Sequence, residues 1–176
     1  MRSIVRFFPW IQFVETHIVL NVATILGLGR SGAAPGTRGS AAGLLWYLIA
    51  FHWTAPLPAL LIFLASCYVA IAFCHEAEAR LYKEDPSEVI LDEFVAVPLV
   101  YLLIPFHAFN ETTLYVVLAL GFGLFRFFDI VKPLGIARLQ KLEGGLGVVV
   151  DDLAAAFAAN LTLHLLLIAA NAGGLL

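Results

Sequence analysis

Five apolar stretches run through the chain, at residues 41–51, 57–73, 94–106, 113–124 and 153–170. The first two meet at a break around Pro56 and Pro58, the next two at a turn near Asn110. None of them alternates apolar and polar residues as a half-buried strand would, and single chains embedded in lipid form helices or closed barrels. Their lengths suit helices and not the ten-residue alternating segments of a barrel. The pattern therefore predicts two helical hairpins and a final helix. All charged residues except Arg2, Arg6, Glu15 and Glu111 fall in three windows, at 30–40, 75–93 and 125–152. Going out and back twice places all three windows on one side of the layer, so residues far apart in sequence can converge there.

Composition identifies the layer. Hydrophobic residues make up 61% of the chain and charged residues 13%, about half the charge a soluble domain carries. The reading is an all-α, multi-pass membrane bundle, a single domain over 1–176, with four or five spanning helices. Arg2, Arg6 and the aromatic residues that follow read as an N-terminal interfacial helix. The far-side turns hold no Lys or Arg, whereas the windows hold several, so the positive-inside rule puts the windows in the cytoplasm. The net charge of −3 and the lack of a basic stretch exclude a nucleic-acid partner and leave membrane lipids. Cys67 and Cys74 are two helical turns apart, too far for a disulfide.

The apolar cores are shorter than the about 20 residues a span needs, so the helices must run on into the windows. That carries Glu88, Asp92, Asp129 and Asp152 to the membrane surface or just beneath it, where ionisable groups are costly and mark function. In the second window, Asp85 and Pro86 read as the cap and first turn of a helix that places Glu88 and Asp92 on one face, with Glu93 beside them. Like charges at that spacing repel unless a cation lies between them. In the third window, Arg126, Asp129 and Lys132 form a polar stripe on an aromatic helix that Pro133 ends. Its close, Gly144-Gly145-Leu146-Gly147, leads into Asp151 and Asp152. Adjacent helical residues point about 100° apart, so one Asp can face a site while the other faces a neighbour. In the first window, Ser40 reads as the N-cap of a helix from Ala41, beside Thr37. Hard carboxylate ligands select Mg²⁺ or Mn²⁺ over Zn²⁺, and Arg and Lys suit phosphate oxygens.

Taken in order, Pro35-Gly36-Thr37-x-Gly39-Ser40, Glu88 with Asp92-Glu93, Phe125-Arg126-x-x-Asp129-Ile130-x-Lys132-Pro133, and Gly144-Gly145-x-Gly147 with Asp151-Asp152 resemble the phosphatidylglycerophosphatase A family. The resemblance covers about residues 24–165. It implies a Mg²⁺-dependent enzyme of the bacterial inner membrane that converts phosphatidylglycerol phosphate to phosphatidylglycerol and inorganic phosphate. By that likeness Asp92, Glu93, Asp129, Asp151 and Asp152 are the acidic site residues, and with Glu88, from its place in the second window, they form the expected metal set. Asp92, Asp129, Asp152 and Lys132 are then the catalytic group, and Thr37, Ser40, Arg126 and Lys132 take the phosphate. The chain departs from the family at Val95, Ala96, Gly135 and Ala156, all small or backbone-shaping positions.

Other chemistries fit less well. Cys74 and Arg80 have the spacing of a cysteine phosphatase, but Glu76 and Glu78 between them would repel phosphate. His52, His107 and His164 lie away from the windows. A membrane ion or solute transporter would place its acids near the bilayer midplane, not at one face.

Overall fold

The computed structural model describes residues 8–133 and 135–173. Among them six α-helices follow in order: α1 (Thr16–Ala23), α2 (Pro35–Ala50), α3 (Pro56–Leu81), α4 (Leu91–Val100), α5 (Glu111–Val131) and α6 (Gly145–Ala172). No strand occurs among the described residues. Three of the five apolar stretches form helices long and apolar enough to cross a membrane: α3, α5 and α6. The other two give shorter helices, about 24 Å for α2 and 15 Å for α4.

Local sequence explains several helix ends. Pro35 opens α2 and Pro56 opens α3, where a missing N–H costs nothing. Asn110 caps α5, its side chain accepting from Thr113 N–H at 2.9 Å. At the other end of α5, Lys132 is left-handed and its N–H donates to Phe128 O, with Pro133 blocking continuation as predicted.

α4 packs against α2, α3, α5 and α6 and forms the centre of the bundle. It stops at Val100, so the predicted apolar segment 94–106 is only partly helical. Irregular backbone inside a membrane bundle must have its polar groups satisfied by protein. Asn160 on α6 does so, donating to both Val100 O and Leu102 O at 2.9 Å. Tyr101 is buried beside Gly121 and donates its hydroxyl to Leu118 O at 2.7 Å.

The N-terminal stretch follows α3. Trp10 Nε1 donates to Tyr68 Oη at 3.1 Å, and Arg80 donates to Thr16 Oγ1 at 3.1 Å. Those two α3 residues are about 18 Å apart along the helix. Arg2, Arg6 and Phe7, part of the expected interfacial segment, lie outside the described residues.

Two predicted helix starts differ. Ser40 does not cap α2, which begins five residues earlier at Pro35. The helix expected from Pro86 begins at Leu91. Segment 82–90 instead crosses the bundle end as a docked loop: Asp85 N donates to Glu78 Oε1 at 2.8 Å, and Ile90 N to Ala23 O at 3.0 Å. The first anchor lies seven residues back and the second is distant in sequence, and together they override the local Asp-Pro-Ser signal. Glu88 and Asp92 therefore do not share a helical face.

Candidate active site

The start of α2, the start of α4, the end of α5 and the start of α6 converge at one end of the bundle. All three charged windows meet there, as the parity of the apolar stretches predicted. Asp92 and Glu93 come from the first turn of α4, and Asp152 from the second turn of α6. One carboxylate oxygen of each lies within 4.8 Å of the others, close enough to hold a metal ion. Asp92 and Asp152 are buried and Glu93 is nearly so. Asp92 Oδ1, Glu93 Oε2 and Asp152 Oδ2 are all buried without a hydrogen-bond partner. Three carboxylates cannot share so small a buried space as anions unless a cation or protons sit among them.

The remaining acids of the site are paired. Arg126 Nη1 donates to Asp129 Oδ2 at 2.6 Å and lies 3.9 Å from Glu93 Oε1. Lys132 Nζ donates to Asp151 Oδ2 and is 4.0 Å from Asp129 Oδ1. Asp129 also neighbours Asp152, so the paired acids and the unpaired group share one patch. Burial would push the Lys132 ammonium towards the neutral form. The hydrogen bond and charge of Asp151, with Asp152 and Asp129 behind it, outweigh burial and hold its pKa above the ordinary lysine value.

Ser40 is fully buried inside α2. Its hydroxyl donates to Gly36 O at 2.8 Å and accepts from Arg126 Nη1 at 3.1 Å. Ser40, expected among the phosphate-binding residues, is thus linked directly to Arg126, another of them. Thr37 is exposed on the first turn of α2. Among the described residues, no hydrogen bond engages Arg126 Nη2, and Nε is buried without a partner. The Nε–Nη2 edge of the guanidinium thus makes no hydrogen bond among the described residues.

Glu88 is not brought into this group. Its carboxylate pairs with Lys83 at 3.8 Å, and both side chains are substantially exposed. Asp151 faces Lys132 and Asp152 the acid group, the split that their 100° separation allowed. Cys74 is buried on α3 and free. Arg80, its partner in the cysteine-phosphatase alternative, is bound to Glu76 at 2.8 Å. Sequence reasoning gave no role to Gly36, although it stands against both Glu93 and Arg126. Its signal was the spacing of Gly36, Gly39 and Gly43 along the α2 face that meets α4.

Fold and site define a class: a helical protein with three helices long and apolar enough to cross a membrane, and with carboxylates that could hold a metal ion beside an arginine and a lysine at one end of its bundle. The model of the family Phosphatidylglycerophosphatase A matches residues 21–167, and the chain belongs to that family. Three bacterial relatives are similar to it. A Bacteroides thetaiotaomicron protein that carries a provisional phosphatidylinositol-3-phosphatase name is 39% identical over 76% of this chain and 84% of its own. Phosphatidylglycerophosphatase A of Haemophilus influenzae is 36% identical, covering 77% of this chain and 80% of its own. The Escherichia coli protein of the same name is 31% identical, covering 76% and 74%. No solved structure matches the chain.

Proposed function

We propose that this chain is a Mg²⁺-dependent lipid phosphatase that hydrolyses phosphatidylglycerol phosphate to phosphatidylglycerol and inorganic phosphate. It works as a single domain over 1–176 at the cytoplasmic face of a bacterial inner membrane. The observation that carries this reading is the buried group of Asp92, Glu93 and Asp152, each with an oxygen lacking a partner, beside Arg126 and Lys132. Family membership supplies the substrate class. In this reading α2 and α4, with the irregular segments that follow them, complete two hairpins and bring the crossings to five.

The acid group fits a divalent cation. Its donors are all hard oxygens, as Mg²⁺ and Mn²⁺ require, and three of those oxygens are buried without partners. Asp92, Glu93 and Asp152 would hold the ion, which supplies Lewis-acid polarisation of the phosphoryl group when bound. The chain's own residues do the rest. Arg126 presents its Nε–Nη2 edge to two phosphoryl oxygens, and Asp129 and Ser40 fix the guanidinium through Nη1. Lys132, kept protonated by Asp151, neutralises charge that grows on the phosphoryl oxygens or the departing glycerol oxygen. Water adds oxygen to phosphorus, the ester P–O bond breaks, and the alcohol leaves with a proton.

The test is phosphate release by purified protein from phosphatidylglycerol phosphate, with Mg²⁺ and with chelator, and from phosphatidylinositol-3-phosphate in parallel. Mg²⁺-dependent release from the first lipid, in preference to the second, is expected. Preference for the inositol lipid would move the substrate towards the Bacteroides relative's name. Release that survives chelation and is lost in Cys74→Ser would overturn the metal reading.

A further inference from the structure

Gly36 is the second residue of α2 and stands directly over the site. A Cβ added there would overlap Glu93 Oε1 and lie 3.1 Å and 3.2 Å from Nη2 and Nη1 of Arg126. The backbone does not ask for glycine at this position. Gly36 is not among the residues with positive φ, and alanine is the better helix former in the first turn of a 16-residue helix. The reason for glycine therefore lies in what it faces.

The two neighbours would respond differently to a methyl group. Glu93 Oε1 is the tip of a long side chain and can swing aside at little cost to the fold. Doing so takes it away from Asp92 and Asp152. Arg126 is fixed by Asp129 and Ser40 and cannot withdraw. The methyl would then sit against Nη1 and Nη2, the second of which, like Nε, faces no acceptor among the described residues.

We propose that Gly36 is a positioning residue of the site: its bare Cα holds Glu93 in the carboxylate group and keeps the Nη2 corner of Arg126 open to a phosphoryl oxygen. The phosphoryl half of this inference rests on the phosphatase reading; the carboxylate half does not. Because Glu93 can yield, the effect of a methyl falls on the site and not on the fold.

The experiment uses full-length protein in detergent. It compares wild type with Gly36→Ala, Gly123→Ala, Glu93→Asp and the Gly36→Ala/Glu93→Asp double variant. A Cβ at Gly123 meets nothing within 4 Å. Mn²⁺ affinity is read by electron paramagnetic resonance, with the melting temperature of the metal-free protein and kcat and KM for phosphate release. Gly36→Ala is expected to melt no lower than wild type, to bind Mn²⁺ about 10- to 100-fold more weakly, as displaced supports of metal sites do, and to lose kcat/KM with a raised KM. Gly123→Ala is expected to match wild type. In the Glu93→Asp background the shortened carboxylate clears the methyl, so Gly36→Ala should cost about threefold or less in Mn²⁺ affinity. Wild-type Mn²⁺ affinity in Gly36→Ala, or the same loss in both backgrounds, would overturn the proposal. A wild-type protein that binds Mn²⁺ but releases no phosphate would sink the phosphatase reading alone, and the Mn²⁺ comparison would still decide the role of Gly36.

Discussion

Two sets of acids occupy the same end of the bundle and are treated in opposite ways. Asp129 and Asp151 each meet a cation of the chain, Arg126 and Lys132 respectively. Asp92, Glu93 and Asp152 meet one another, with Glu93 reaching Arg126 Nη1 at 3.9 Å through its other oxygen, and each leaves a buried oxygen without a partner. The first set is internally balanced and its work is to aim two cations. The second is unbalanced and invites a cation from outside. Buried like charges raise the free energy of the empty protein, a cost that a bound cation or protons among them would offset.

Substitutions can break this contrast, and the largest effect is expected in the unbalanced set. Asp92→Asn or Asp152→Asn should lower phosphate release about 10³-fold, on the scale of removing a transition-state contact. Each should leave the metal-free melting temperature unchanged or higher, because one repelling charge has gone. A fall in the melting temperature of the metal-free protein would mean these acids are structural. Breaking the balanced set should cost activity and stability together. Lys132→Met leaves Asp151 buried and unpaired, so about 3 kcal/mol of unfolding free energy and about 10²-fold in kcat should be lost, measured by denaturant titration and single-turnover release.

Smaller effects sharpen the contrast. Ser40→Ala removes one hydrogen bond to a charged group, about 1.5 kcal/mol, so kcat/KM should drop about tenfold, mainly through KM. An unchanged KM would remove Ser40 from the support of Arg126. Glu88→Gln should change Mg²⁺-dependent release by less than about twofold, since exposed pairs such as Glu88–Lys83 contribute about 1 kcal/mol or less. A large loss would return Glu88 to the metal set.

The sequence made the convergence legible because hydropathy and parity act over long stretches. Apolar runs in pairs, with turns at Pro56 and Asn110, put the three windows together before any contact was known. Helical geometry allowed Asp151 and Asp152 to face different neighbours, but it did not say which of the two would join the other acids. What the sequence could not show depends on partners distant in the chain. Residues 94–106 are apolar throughout, so hydropathy cannot register that α4 ends at Val100, where Asn160 of α6 supplies the missing donors. The Asp85-Pro86 signal for a helix start is genuine locally, yet Ala23 O takes the Ile90 N–H and draws the segment into a loop. Ser40 carries the chemistry of a cap and lies inside a helix that Pro35 had already opened. Gly36 was visible only as part of a motif, because its importance lies in the space above it.

The measurement that tests the central contrast most directly is Mn²⁺ binding, followed by electron paramagnetic resonance, to Asp152→Asn and Asp151→Asn. These are adjacent residues of one helix, one facing the carboxylate group and the other Lys132. The account predicts that Asp152→Asn loses the bound-ion signal and that Asp151→Asn keeps it. The opposite result, with binding lost in Asp151→Asn and retained in Asp152→Asn, would contradict the assignment of the unpaired carboxylates as the cation site.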